Sequence, residues 1–150
     1  MAQGGTIHAS AVLTGATALL IRGPSGSGKS RLALALIEAA RSGALVFARL
    51  VADDRAALEA VSGRLLVRPA PALEGLIEVR GLGIRRVPFE PVAAVGGVVD
   101  LAADDAARLP EPAANMTEIL GVPLPRIAAA QGLDALAIVT AALRTASGPD

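Results

Sequence analysis

Two stretches of this chain carry residue types able to handle phosphate. Gly23-Pro24-Ser25-Gly26-Ser27-Gly28-Lys29-Ser30 fits G-x-x-x-x-G-K-[ST] at each fixed position. Glycines in such a run let successive backbone N–H groups converge on an anion, and a following helix adds its positive end. In that arrangement the lysine, here Lys29, reaches the β- and γ-phosphates of a nucleotide, and the hydroxyl of Ser30 ligates Mg²⁺. The eight residues are the candidate nucleotide site, but the motif alone does not separate an ATPase, a GTPase and a kinase.

The second stretch, "RLVADDRAAL" at 49–58, ends an apolar run on the adjacent acids Asp53 and Asp54. A strand-terminal Asp downstream of a phosphate loop serves the magnesium side of the site. A carboxylate near the γ-phosphate also serves to accept the proton of an attacking hydroxyl. Neighbours on a strand face opposite ways, so both acids reach one site only if the chain turns there. The plainer alternative has Asp54 starting a turn, its charge solvated beside Arg55.

These residues need elements to hold them. An apolar run at 17–22 precedes the glycine loop, and a helix over 29–40 follows it, with Leu32, Leu36, Ile37 and Ala40 on one face. Arg41-Ser42-Gly43 stops that helix, and residues 44–52 form a buried strand ending at Asp53. The runs 7–13 and 17–22 flank a Thr-Gly-Ala-Thr turn, and 57–61 and 64–68 flank Ser62-Gly63, so each pair predicts a β-hairpin. After the breakers Pro69 and Pro71, further strands are expected at 76–80 and 92–101. The proline-punctuated segment 110–125 predicts an ordered loop with a short strand. Residues 133–146 predict an amphipathic helix with Leu133, Leu136, Val139 and Leu143 on one stripe. The pattern is mixed α/β around a sheet: one domain over 1–150, with a catalytic core at about 7–101 and a C-terminal loop and helix at 102–150.

Composition narrows the partners. Hydrophobic residues make up 53% of the chain and only Phe47 and Phe89 are aromatic, so the core must be built from Ala, Val, Leu and Ile. Fourteen basic and fourteen acidic residues cancel, which leaves no basic footprint for nucleic acid and no polybasic patch for anionic lipid. Without cysteine there are no disulfides or thiolate metal sites. The apolar stretch 11–21 is broken by Thr14, Gly15 and Thr17, too short a run to span a bilayer, so a soluble cytoplasmic chain is expected. Lys29 is the sole lysine among the fourteen basic residues. A chain so biased toward arginine keeps lysine where a compact charge on a flexible stem is needed.

His8, the phosphate-loop motif, "LVADD" at 50–54 and "LIEVRGLGI" at 76–84 stand in the order found in the catalytic domain of the HPr kinase/phosphorylase family, which the chain resembles over about 7–101 and again at "ILGVPLPR", 119–126. The resemblance implies a P-loop fold related to phosphoenolpyruvate carboxykinase, built on a mixed sheet with flanking helices. It implies ATP- and Mg²⁺-dependent phosphorylation of a serine on HPr, a phosphocarrier of the sugar phosphotransferase system, and in many members the reverse attack of phosphate on phosphoserine. By the same resemblance Asp53 is the acid–base residue, and Asp54 supports it or helps hold metal through water. Glu78 is the second magnesium ligand beside Ser30, and His8 places the phosphate or the Asp. Arg80 through Gly83, with Gly81 between, form the loop facing nucleotide and partner. By their residue types alone, His8 reads as a packing or surface residue, Glu78 as solvent-facing, and the two glycines as a turn.

Seven residues precede His8, as in the short, single-domain version, which is associated with a nitrogen-linked regulatory system and an HPr-like carrier. Longer members continue into an arginine-bearing loop and helices used for hexamer contacts and phosphorolysis. "AARLPEPAANMTEILGVPLPRIAAAQG" replaces that segment and leaves homo-oligomerisation and the phosphorylase direction open. Arg108, and less directly Arg126, stand as candidate phosphate contacts, with a solvated loop residue as the alternative. Two other functions fit the same residues: a P-loop kinase of small metabolites, with 103–126 as its lid, and a non-catalytic ATP-sensing module.

Overall fold

The computed structural model describes residues 3–132 and 134–145. In chain order the elements are β1 (Gln3–His8), β2 (Ser10–Leu13), β3 (Ala18–Arg22), α1 (Lys29–Arg41), β4 (Arg49–Ala52), β5 (Arg55–Val61), β6 (Arg64–Pro69), β7 (Leu76–Val79), β8 (Gly83–Arg86), β9 (Ala93–Leu101), β10 (Met116–Ile119), β11 (Val122–Ala129) and α2 (Ala135–Arg144). One sheet runs β1-β5-β6-β9-β3-β2-β4, while β11 also pairs with β9 and carries β10 on its other edge. β7 and β8 form a separate two-stranded sheet.

The strand directions explain where chemistry gathers. β3 and β11 both run parallel to β9, and β2 is antiparallel to β3 and to β4. The parallel set β4, β3, β9 and β11 therefore ends along one edge, which receives the phosphate loop from β3 and Asp53 from β4. Open α/β sheets bind ligands outside the carboxyl ends of such strands.

Two apolar layers cover the sheet. α1 buries Leu32, Ala33, Leu36 and Ile37 against Val12, Ile21, Leu50 and Val99 on one face. On the other, Leu20, Val51 and Val98 pack with Leu58, Leu65 and Val67 of the β5–β6 hairpin and with Val122 and Leu124. Small aliphatic residues fill both layers, as the composition requires. Among the described residues, no helix is long and apolar enough to cross a membrane.

The expected hairpins β2–β3 and β5–β6 form. Three expectations need correction. The strand placed at 44–52 starts only at Arg49, because Ala44 and Leu45 donate their N–H groups back to the Ala39 carbonyl and fold Leu45 under the end of α1. The chain from 76 is a hairpin, since fully exposed Gly83–Arg86 forms a second strand with no apolar alternation to announce it. The segment 110–125 holds a hairpin, β10–β11, whose Leu120-Gly121 turn has positive φ at both residues (50° and 80°). That is the primed hairpin turn, with leucine where asparagine or glycine usually signals it. Pro123 and Pro125 are tolerated because they alternate outward from buried Val122 and Leu124, on the side of β11 that meets only β10. α2 spans Ala135–Arg144 and opens on an Asp134 side chain that accepts the Ala137 N–H. Its Val139 is buried and Leu143 exposed, while Leu133 and Ala146, placed on the same helix above, lie outside the described residues.

Pairing between β3 and β9 slips from Ala18–Val95 to Leu19–Gly97, leaving Gly96 as an extra residue against Thr17. A Cβ at Gly96 would strike the Thr17 side chain. Gly96→Ala is expected to cost about 1–3 kcal/mol in denaturant titration, and Thr17→Gly to recover most of that loss in the double variant. Equal losses with and without Thr17 would refute the clash.

Candidate active site

The phosphate loop leaves β3 at Arg22 and enters α1 at Lys29. Gly28 caps the helix with φ 99°, a left-handed conformation that glycine takes without strain. Ser27 closes the loop on itself by donating its N–H to the Pro24 carbonyl at 3.0 Å. Lys29 Nζ lies over the loop, donating to the carbonyls of Gly23 (2.8 Å) and Pro24 (3.2 Å). Pro24, Ser25 and Gly26 are exposed. Ser27 Oγ is buried without a hydrogen-bond partner, an orphaned polar atom inside an anion cradle.

Asp53 is only 3% exposed. A buried carboxylate requires donors, and three are present: the hydroxyls of Ser10 (2.6 Å) and Ser30 (2.8 Å to one oxygen, 2.9 Å to the other) and the Glu78 N–H (3.0 Å). β2, the first turn of α1 and β7 thus converge on the acid that ends β4. A hydroxyl and a carboxylate in contact suit Mg²⁺, which takes one or two protein oxygens together with phosphate oxygens and water. Among the described residues no three His, Cys, Asp or Glu side chains gather into a metal cage.

The two adjacent acids part company at a sharp turn. Asp54 has φ 68°, and the Arg55 N–H donates back to the Asp53 carbonyl at 2.8 Å. Asp is among the residues that enter this conformation at low cost. Asp53 consequently faces inward to the loop, while the Asp54 side chain is 68% exposed. His8, at the end of β1, is 66% exposed, with Nδ1 3.9 Å from Asp54 Oδ1, too long for a direct hydrogen bond.

The other sequence-derived candidates are distributed unevenly. Glu78 reaches the site through its backbone, and its side chain is exposed. Arg80, Gly81 and Gly83 occupy the exposed turn between β7 and β8, with φ near 90° at both glycines. Arg108 is exposed in the segment after β9. Arg126 is already engaged, its Nε on Asp100 at 2.6 Å and its two Nη atoms on Asp105 at 2.8 and 2.9 Å. It belongs to the frame of the sheet rather than to a free phosphate contact.

Sequence reasoning missed two groups. Ser10 gave only the faint signal of one hydroxyl inside Ala9-Ser10-Ala11, yet it is fully buried on Asp53. Arg22 grips Asp100 through Nε (2.7 Å) and Nη2 (2.8 Å), joining the strand before the phosphate loop to β9.

The family model of the HPr Serine kinase C-terminal domain matches residues 1–89. The HPr kinase/phosphorylase of Clostridium tetani is 43% identical over 70 residues, 47% of this chain and 21% of that protein. The one from Mycoplasma mycoides subsp. mycoides is 39% identical over 77 residues, 51% of this chain and 22% of that protein. The chain therefore spans between a fifth and a quarter of the length of the curated relatives it matches. A solved structure described as the Hpr(Ser) kinase/phosphatase from Coxiella burnetii superposes with a TM-score of 0.74 at 24% identity, over 94% of this chain and 95% of that one. That likeness carries the expected fold class, the mixed-sheet P-loop arrangement of the HPr kinase type.

The strand-end ion pairs make the frame of the site acid-sensitive. Burial raises the Asp100 pKa, but hydrogen bonds from Arg22 and Arg126 outweigh it and hold the group below its ordinary 3.8. Asp105 is lowered as well, by the Arg126 hydrogen bond first, and Arg126 is raised, by Asp105 first and then Asp100. A carboxyl depressed by folding contributes its full stability above its unfolded pKa and loses it as pH falls through the folded value. Wild type should therefore lose stability progressively below about pH 4. Asp100→Asn should be less stable at pH 7 and show a flatter acid limb in thermal melts; an unchanged limb would remove Asp100 from this role.

Proposed function

The chain belongs to the HPr Serine kinase C-terminal domain family, and on that footing we propose that it transfers the γ-phosphoryl group of ATP, with Mg²⁺, to a serine of an HPr-like phosphocarrier protein. The observation that carries this reading is the contact between the Ser30 hydroxyl and the Asp53 carboxylate, which puts a strand-end acid against the phosphate loop. Converging backbone N–H groups and Lys29 hold the phosphates. Ser30 and Asp53, with the Glu78 carboxylate on the adjoining strand end, are the oxygens that would hold the metal. Bound there, Mg²⁺ would neutralise charge on the β- and γ-phosphates. The carrier serine oxygen bonds to the γ-phosphorus, the bond from that phosphorus to the β–γ bridging oxygen breaks, and ADP leaves. The serine proton passes to Asp53. The exposed turn at Arg80–Gly83, which presents Leu82, offers a surface for the carrier, and the proposed setting is the cytoplasm, where ATP is available.

A second assignment of the proton rests on exposure. Asp53 is enclosed by three donors, whereas Asp54 is open to an incoming serine and has His8 beside it.

Labelled ATP with Mg²⁺ and a purified HPr-like carrier is expected to leave acid-stable label on the carrier. Label on a metabolite instead would identify a small-molecule kinase, and tight binding without turnover a sensor. Lys29→Ala should abolish transfer. Asp53→Asn should slow it by roughly 10²–10⁴ with nucleotide binding largely kept. A harmless Asp53→Asn together with a damaging Asp54→Asn would move the base to Asp54. Adding excess phosphate to phosphorylated carrier tests the reverse reaction.

A further inference from the structure

A cleft of about 620 Å³ opens beside the phosphate loop, between the first turns of α1 and the start of α2. Its volume falls in the range of small-molecule sites, roughly 300–1,000 Å³. The loop borders it through Gly26, Ser27 and Gly28, the side of the cradle whose Ser27 hydroxyl is buried without a partner. Ser30, Asp53 and His8, the proposed reacting end, do not line it. A ligand anchored by its phosphates in the loop would thus have its reacting tip at one end and its remaining bulk in this cleft.

The lining suits a flat ring with polar substituents. Leu32 and Ala35 of α1 form one wall with Leu101, and Leu136 of α2 faces them across the gap. Arg31 and Gln131, both exposed, sit at the rim, where ribose hydroxyls and ring nitrogens need partners. The α2 wall lies beyond residues 1–89, so the family match does not reach it.

We propose that this cleft receives the adenosine moiety of ATP, so that the segment after β11 and the start of α2 bind the nucleoside while the glycine loop binds its phosphates. This assignment rests on the phosphate-loop reading above. Calorimetric titration of the full chain with ATP and with inorganic tripolyphosphate, which lacks a nucleoside, tests it. Ala35→Leu keeps a good helix former and fills the cleft, so the dissociation constant for ATP should rise about tenfold or more. Gln131→Ala, at an exposed position, should raise it severalfold without endangering the fold. Tripolyphosphate affinity should stay unchanged in both variants. ATP affinity unmoved in both, or ATP and tripolyphosphate weakened together, would overturn the cleft assignment while leaving the phosphate loop standing. A wild-type chain that binds neither compound would overturn both.

Discussion

A buried carboxylate must be surrounded by donors, and the donors around Asp53 come from separated parts of the chain. Ser10 starts β2, Ser30 sits in the first turn of α1, and Glu78 belongs to the small β7–β8 hairpin. Satisfying this one charge fixes the antiparallel strand, the helix and the hairpin against the end of β4. Removing any donor leaves an acceptor short inside the protein, at about 1–3 kcal/mol for each unsatisfied group. The requirement that makes the site costly to assemble also makes it rigid.

Beside this contact lies a second electrostatic frame. Arg22 and Arg126 share Asp100, so β3, β9 and β11 are pinned to one another at the edge from which the phosphate loop departs. The pairs are largely shielded, with side-chain exposures of 31%, 13% and 16% for Arg22, Arg126 and Asp100. Shielding of this degree keeps salt from screening them as it would a surface pair. The inward and outward aspartates then show how a single turn sorts two identical residues. Only Asp53 joins the frame, and Asp54 remains with His8 at the surface.

The local chemistry of the site was legible and much of its support was not. Gly23 to Ser30 and the strand ending in Asp53 could be read because their function resides in consecutive residues. Ser10 could not, because one hydroxyl among alanines acquires meaning only when β4 is brought beside β2. Similarly, Arg22 and Arg126 were two arginines among thirteen until β9 placed Asp100 between them. Strands were missed where the periodic signal was absent: β8 has no buried face, and the prolines of β11 disguise a strand whose inward residues are Val122 and Leu124. The supposed strand at 44–48 was apolar for another reason, the burial of Leu45 beneath a helix end.

β9 has a consequence for anyone dissecting this molecule. It lies between β6 and β3 and meets β11 farther along, so it stitches the two apolar layers together. The stretch that matches the family stops before it begins. A fragment trimmed at that boundary would retain every motif residue of the phosphate loop and both aspartates, yet expose the open flanks of β3 and β6. Bare flanks of that sort invite pairing with neighbouring copies. The unit of recognition is therefore shorter than the unit of folding.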